Sequence, residues 1–79
     1  MDQQLFDRFV KCAVDVLSVD ASKVKPEARF NEDLDADSLD LVELVMALEE
    51  EFGIEVPESE LEGVDTVGKA FALVSAKAG

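Results

Sequence analysis

Residues 37–53 read Asp-Ser-Leu-Asp-Leu-Val-Glu-Leu-Val-Met-Ala-Leu-Glu-Glu-Glu-Phe-Gly. Apolar residues recur here at steps of three and four, which predicts a helix starting near Asp37 and running to Phe52. Asp37 at the N-cap puts Asp40 at N3, an arrangement resembling a capping box with acids at the positive end of the helix dipole. Gly53 supplies a left-handed residue to end the helix.

At 100° per residue this helix shows two apolar stripes. Leu41, Leu44, Val45, Leu48 and Phe52 form a core face. Leu39, Val42 and Met46 align on a separate face, bordered by Glu43 and Glu50 on one side and Glu49 on the other. Two readings are open for this second stripe. A central helix in a small bundle buries two sides, because small cores need their apolar residues. Alternatively, the stripe is an exposed ridge framed by acids, the anatomy of a partner-binding surface.

Working outward, Leu5, Phe9, Cys12, Ala13, Val16 and Leu17 predict an amphipathic helix over about residues 3–17. Residues 18–36 contain Pro26, Asn31 and scattered Asp, and read as a long loop anchored by Val19, Val24 and Phe30. After Gly53, residues 54–57 are an extended connector, and residues 58–62 form one short helical turn before Gly63. Asp65 or Thr66 caps a last helix carrying Val67, Ala70, Phe71 and Val74 on one face. The expected fold is all-α: a small bundle of three long helices and one short helix, in a single domain over residues 1–79.

Composition narrows the function. The 79 residues include 19 Asp or Glu and 7 Lys or Arg, for a net charge of −12, and no His. From Phe30 through Gly68 there are 14 acids and no base. That charge repels a phosphate backbone and argues against nucleic acid. It also disfavours self-association, so a monomer is expected. Without His there is no Ser-His or Cys-His nucleophilic pair. One Cys and no His make neither a structural zinc site nor a disulfide framework, and the single thiol fits a reducing compartment. No apolar run approaches the length of a membrane span and no signal-peptide pattern opens the chain, which points to the cytoplasm.

Three local features carry possible chemistry. Asp33, Asp35 and Asp37 imitate the start of a calcium-binding EF-hand loop. Counting from Asp33, Ser38 stands where the turn needs Gly, and Leu44 where a bidentate Glu belongs; counting from Asn31, Ala36 and Val42 fail in the same places. No dedicated metal site is expected, only weak divalent binding by the acids. Cys12 lies on the apolar face of the first helix and reads as a small core residue. Ser38 sits where an acidic loop meets the main helix. It is an ordinary cap residue by default; as a nucleophile it has no base of its own, so chemistry on its hydroxyl must come from another protein.

Residues 30–40, Phe-Asn-Glu-Asp-Leu-Asp-Ala-Asp-Ser-Leu-Asp, followed by Leu-Val-Glu-Leu-Val-Met-Ala-Leu-Glu-Glu-Glu-Phe through position 52, resemble the acyl carrier protein family. Residues 54–57 (Ile-Glu-Val-Pro) and 65–68 (Asp-Thr-Val-Gly) extend the resemblance over nearly the whole chain. It is nearest to the discrete carriers of bacterial-type fatty acid synthesis. Two departures are Asp35, where many relatives have Gly, and Ser18, where Gly often ends the first helix; Asp tolerates left-handed geometry.

The resemblance implies a carrier and not an enzyme. A phosphopantetheinyl transferase moves phosphopantetheine from coenzyme A onto the Ser38 hydroxyl, and the arm holds acyl groups as thioesters for delivery to synthesis enzymes with basic docking patches. The family's recognition helix maps onto residues 38–52, with Asp37, Leu39, Asp40, Val42, Glu43, Met46, Glu49 and Glu50 at matching partner-binding positions. The family's acyl-chain pocket maps onto Phe30, Leu48, Val56, Leu61, Val64, Ala70 and Leu73, which otherwise read as ordinary core. Carriers of polyketide pathways share the motif, and an unmodified acidic interaction or divalent-cation-binding module is the alternative from another class.

Overall fold

The computed structural model describes residues 3–78. Three α-helices account for the bundle: α1 (Gln3–Leu17), α2 (Ser38–Phe52) and α3 (Val67–Ala78). The short fourth helix expected after Pro57 is a single 3-10 turn, Glu58–Leu61, and a second such turn, Ala21–Lys23, lies in the long loop. No strand occurs among the described residues; one isolated antiparallel bridge pairs Arg29 with Thr66.

Local chemistry sets the ends of each helix. Ser18, at φ 56, turns the chain left-handed after α1, and its N–H donates to the Val14 carbonyl at 2.9 Å. At the head of α2, the Asp40 N–H donates to Asp37 Oδ1 at 2.9 Å while the Asp37 N–H donates to Asp40 Oδ2 at 3.3 Å, closing a reciprocal capping box. Gly53 ends α2 at φ 64. Of the two candidate caps for α3, Thr66 serves: its Oγ1 accepts the Lys69 N–H at 3.2 Å.

Phe9, Leu44, Leu48 and Val67 are fully buried at the centre, each contributing on the order of 1.5–3 kcal/mol by leaving water. Phe71 meets Phe6 and Phe9 edge-on, with ring centroids 5.1 and 5.7 Å away, and joins α1 to α3. Arg8 joins α1 to the end of α2. Its guanidinium donates to the Glu51 carboxylate at 2.8 Å and to the Glu51 carbonyl at 2.6 Å, and lies 4.6 Å from the centre of the Phe52 ring. A cation at this helix end also meets the negative end of the dipole.

The long loop is packed down rather than free. Val24, Ala28, Phe30, Leu34 and Ala36 are buried and Val19 is half-buried, so the loop has more anchors than the three expected. Three backbone bonds strap it to the start of α3: Phe30 N–H to Asp65 carbonyl, Val67 N–H to Ala28 carbonyl, and Gly68 N–H to Pro26 carbonyl, at 3.0, 2.9 and 2.8 Å. The last is possible because Gly68 has no side chain; a Cβ there would stand 2.8 Å from the Pro26 oxygen. No helix among the described residues is long and apolar enough to cross a membrane.

Candidate functional site

Ser38 is exposed at the first position of α2. The loop before it folds back on itself: the Asp33 and Leu34 N–H groups donate to the Arg29 carbonyl, and the Ala36 N–H to that of Phe30. Asp35, at φ 55, makes the left-handed turn that redirects the chain into the helix. The result is a cleft of about 390 Å³ beside the Ser38 side chain, with Phe30, Ala36, Leu41 and Val64 as apolar walls and Asp37 and Asp65 at the rim.

Asp33, Asp37, Asp40 and Asp65, near Ser38, are engaged by the backbone or by a base. Asp33 accepts the Arg29 N–H at 2.8 Å, and Asp37 and Asp40 cap each other's N–H groups. Lys69 hydrogen-bonds Asp65 at 3.0 Å and lowers the pKa of its carboxyl from the ordinary value. Among the described residues no three His, Cys, Asp or Glu side chains are grouped to hold a metal ion. The half-buried Cys12 thiol is pushed up from its ordinary pKa, first by burial and then by the nearby Glu51 and Asp15 carboxylates.

On α2 the two stripes separate as exposure. Leu44, Val45 and Leu48 are buried, with Leu41 and Phe52 half-buried beside them. Leu39 and Met46 are 65% and 60% exposed, which excludes the reading in which both faces are covered; Val42 is half-buried. Asp37, Glu43 and Glu50 are exposed, while Asp40 and Glu49 are half-buried. Glu43, Met46, Glu49 and Glu50 line a shallow groove of about 590 Å³ together with Ala47, Ile54 and Glu55. Sequence periodicity missed these last three: it treated Ile54 and Glu55 as connector, although an apolar–acidic pair directly after the helix continues the pattern of its outer face.

Leu48, Val56, Leu61, Val64, Ala70 and Leu73 come together as one apolar seam between α2, α3 and the segment joining them. Val45 and Val74 complete it, two residues the helical periodicity had placed simply in the core. The cavity among these side chains is about 10 Å³, at the lower edge of what one water molecule needs. Phe30 lies outside the seam and lines the Ser38 cleft instead. Val64 lines both.

Ser38 thus displays a hydroxyl at the head of an acidic helix, open to attachment by another protein. Residues 7–74 match the family described as "Phosphopantetheine attachment site". The chain is 52% identical to a protein named acyl carrier protein from Picosynechococcus over 79 residues, covering 100% of this chain and 98% of the relative. It is 56% identical to the acyl carrier protein of Helicobacter hepaticus over 71 residues, 90% of this chain and 93% of that one. The chain belongs to the acyl carrier protein family, as a carrier and not a catalyst, with phosphopantetheine as its covalent cofactor.

The surroundings of Ser38 fit that group. The hydroxyl is exposed, the cleft beside it has room, and the cap uses the N–H of Asp40 while leaving those of Ser38 and Leu39 outside it. Such N–H groups favour a phosphate, and the carboxylates of Asp37 and Asp40 oppose it.

Proposed function

We propose that Ser38 is the attachment point and that the protein tethers acyl intermediates and delivers them to the enzymes of fatty acid synthesis. Attached there, the arm supplies a thiol that carries acyl groups as thioesters. Of the serines within the family match, Ser18 ends α1 in a left-handed turn and Ser22 and Ser59 lie in 3-10 turns; Ser38 alone begins an α-helix. The observation that carries the assignment is the shared lining: Val64 lines both the cleft at Ser38 and the apolar seam.

In this role each face of α2 has its own task. Asp37, Leu39, Asp40, Val42, Glu43, Met46, Glu49 and Glu50 present acids and an apolar ridge to a phosphopantetheinyl transferase and to synthesis enzymes with basic docking patches. Leu48, Val56, Leu61, Val64, Ala70 and Leu73 shelter the acyl chain, with Phe30 at the entrance. The seam opens to admit the chain, because about 10 Å³ holds none of it. Residues 1–79 act as one acyl-carrier-like domain, a monomer at this charge, in the cytoplasm.

Incubation with coenzyme A and a phosphopantetheinyl transferase, followed by intact-mass measurement, tests the attachment. One added phosphopantetheine, absent from Ser38→Ala, is the expected result. Addition to Ser38→Ala, or at another serine, overturns it. Turnover of the loaded protein by fatty acid synthesis enzymes, against polyketide synthesis enzymes, tests the pathway.

A further inference from the structure

The seam has a direction. Both α2 and α3 start beside the Ser38 cleft, since Ser38 opens α2 and Val64 and Asp65 lead into α3. From Val64 the seam therefore runs along both helices, past Ala70 on α3 to Leu73 and Val74, two turns in. Lys77 follows one turn further. It lies on the same helix face as Leu73 and Val74, at i+4 and i+3, and helical side chains lean back toward the N-terminus over that face. In the 3-10 turn between α2 and α3, Glu60 precedes the seam residue Leu61. The Lys77 Nζ and Glu60 Oε2 meet at 2.8 Å, and with side-chain exposures of 26% and 39% they form the least exposed ion pair among the described residues.

We propose that the Glu60–Lys77 pair is the floor of the acyl seam and that these two residues set the chain length the protein shelters. The proposal rests on the reading that acyl chains enter this seam. A chain that ends before Lys77 displaces only apolar contacts between Val45, Leu48, Leu61, Leu73 and Val74. A longer chain must push a methyl terminus against two partly exposed charges held together at 2.8 Å, so it breaks the pair or stays outside. The α3 axis from Ala70 to Lys77 measures about 10 Å, which makes the limit one of medium chain length.

The test uses the full-length protein with its arm loaded with saturated chains from butyryl to palmitoyl. Hydroxylamine cleavage of the thioester reads shelter, and methyl NMR of Leu61, Leu73 and Val74 reads entry. In the parent protein, protection should rise with length and then stop rising. In Lys77→Met, which keeps the apolar stem, and in Glu60→Gln, the plateau should move to longer chains. The longest chains should gain about two- to fivefold protection, the scale of one partly exposed ion pair, with butyryl unaffected. The exchanged pair Glu60→Lys with Lys77→Glu should restore the parent profile. Methyl shifts that report entry, with one unchanged length profile in all variants, overturn the floor while leaving the seam in place. Methyls that never respond to chain length in the parent protein overturn the seam and the floor together.

Discussion

The Glu49 carboxylate accepts the backbone N–H of Val56 at 2.8 Å, so a residue on the acidic face of α2 also holds the wall of the apolar seam. The Glu49 carbonyl takes the Ile54 N–H as well, at 3.1 Å, and the two bonds fold residues 54–56 against the helix end. Loss of the side chain leaves a partly buried N–H without its charged acceptor. Glu49→Ala should therefore cost about 1.5–3 kcal/mol in urea unfolding, as for other bonds to charged groups. Glu50→Ala, an exposed neighbour, should stay within about 0.5 kcal/mol of the parent. Equal effects at both positions would mean that the Val56 bond adds nothing to stability.

Asp35 and Ser18 hold left-handed backbone at φ 55 and 56 without being glycine. Each conformation costs a side-chain-bearing residue roughly 1 kcal/mol. Asp35→Gly should recover part of this and raise stability by a few tenths to about 1 kcal/mol, less the extra chain entropy of glycine. Ser18→Gly should act in the same direction. Gly68→Ala should do the reverse, because its Cβ meets a backbone oxygen at 2.8 Å that cannot swing aside; a loss of about 1–3 kcal/mol is expected from forced backbone shifts. Thermal melts of the three variants check both signs.

The helices were legible because their signals are local. Asp37, Asp40 and Gly53 lie within one segment, and the capping box and left-handed cap occur where residue chemistry placed them. The exposed ridge of Leu39 and Met46 was half legible: periodicity separated it from the core face, but only packing could show that nothing covers it. The loop was the least legible part. Ala28, Leu34 and Ala36 are buried through bonds to residues 65–68 and through a fold-back at Asp35, which no sequence period announces.

Cys12 should behave as a shielded thiol. Its pKa is raised by burial and by Glu51 and Asp15, so at neutral pH it is almost wholly protonated and half-covered. Iodoacetamide should alkylate it more slowly than a free cysteine at pH 8, with the rate still climbing above the ordinary thiol range. The linked stability follows in sign. A folded-state pKa above the unfolded value gives stability that is complete below the ordinary thiol pKa and is lost as pH rises through the raised one. Cys12→Ala should remove that alkaline loss. An alkylation profile matching that of free cysteine would contradict the shielding.

Glu43 and Glu50 border the exposed Met46 on α2, and the net charge of −12 makes both a source of attraction for a basic partner and of repulsion within the chain. Reversing both to Lys should therefore separate docking from folding. Transferase modification of Ser38 should slow, more at low salt than at high salt, because screening removes the steering that the acids provide. The melting temperature at low salt should rise, because repulsion within the acidic half of the chain falls. Millimolar magnesium should raise the parent melting temperature for the same reason, and raise that of the reversed variant less. Met46→Ala removes apolar contact instead, so its loss of docking should be nearly independent of salt. Slower modification together with a lower melting temperature, equal at all salt concentrations, would assign the acids to the fold and take the docking face away from α2.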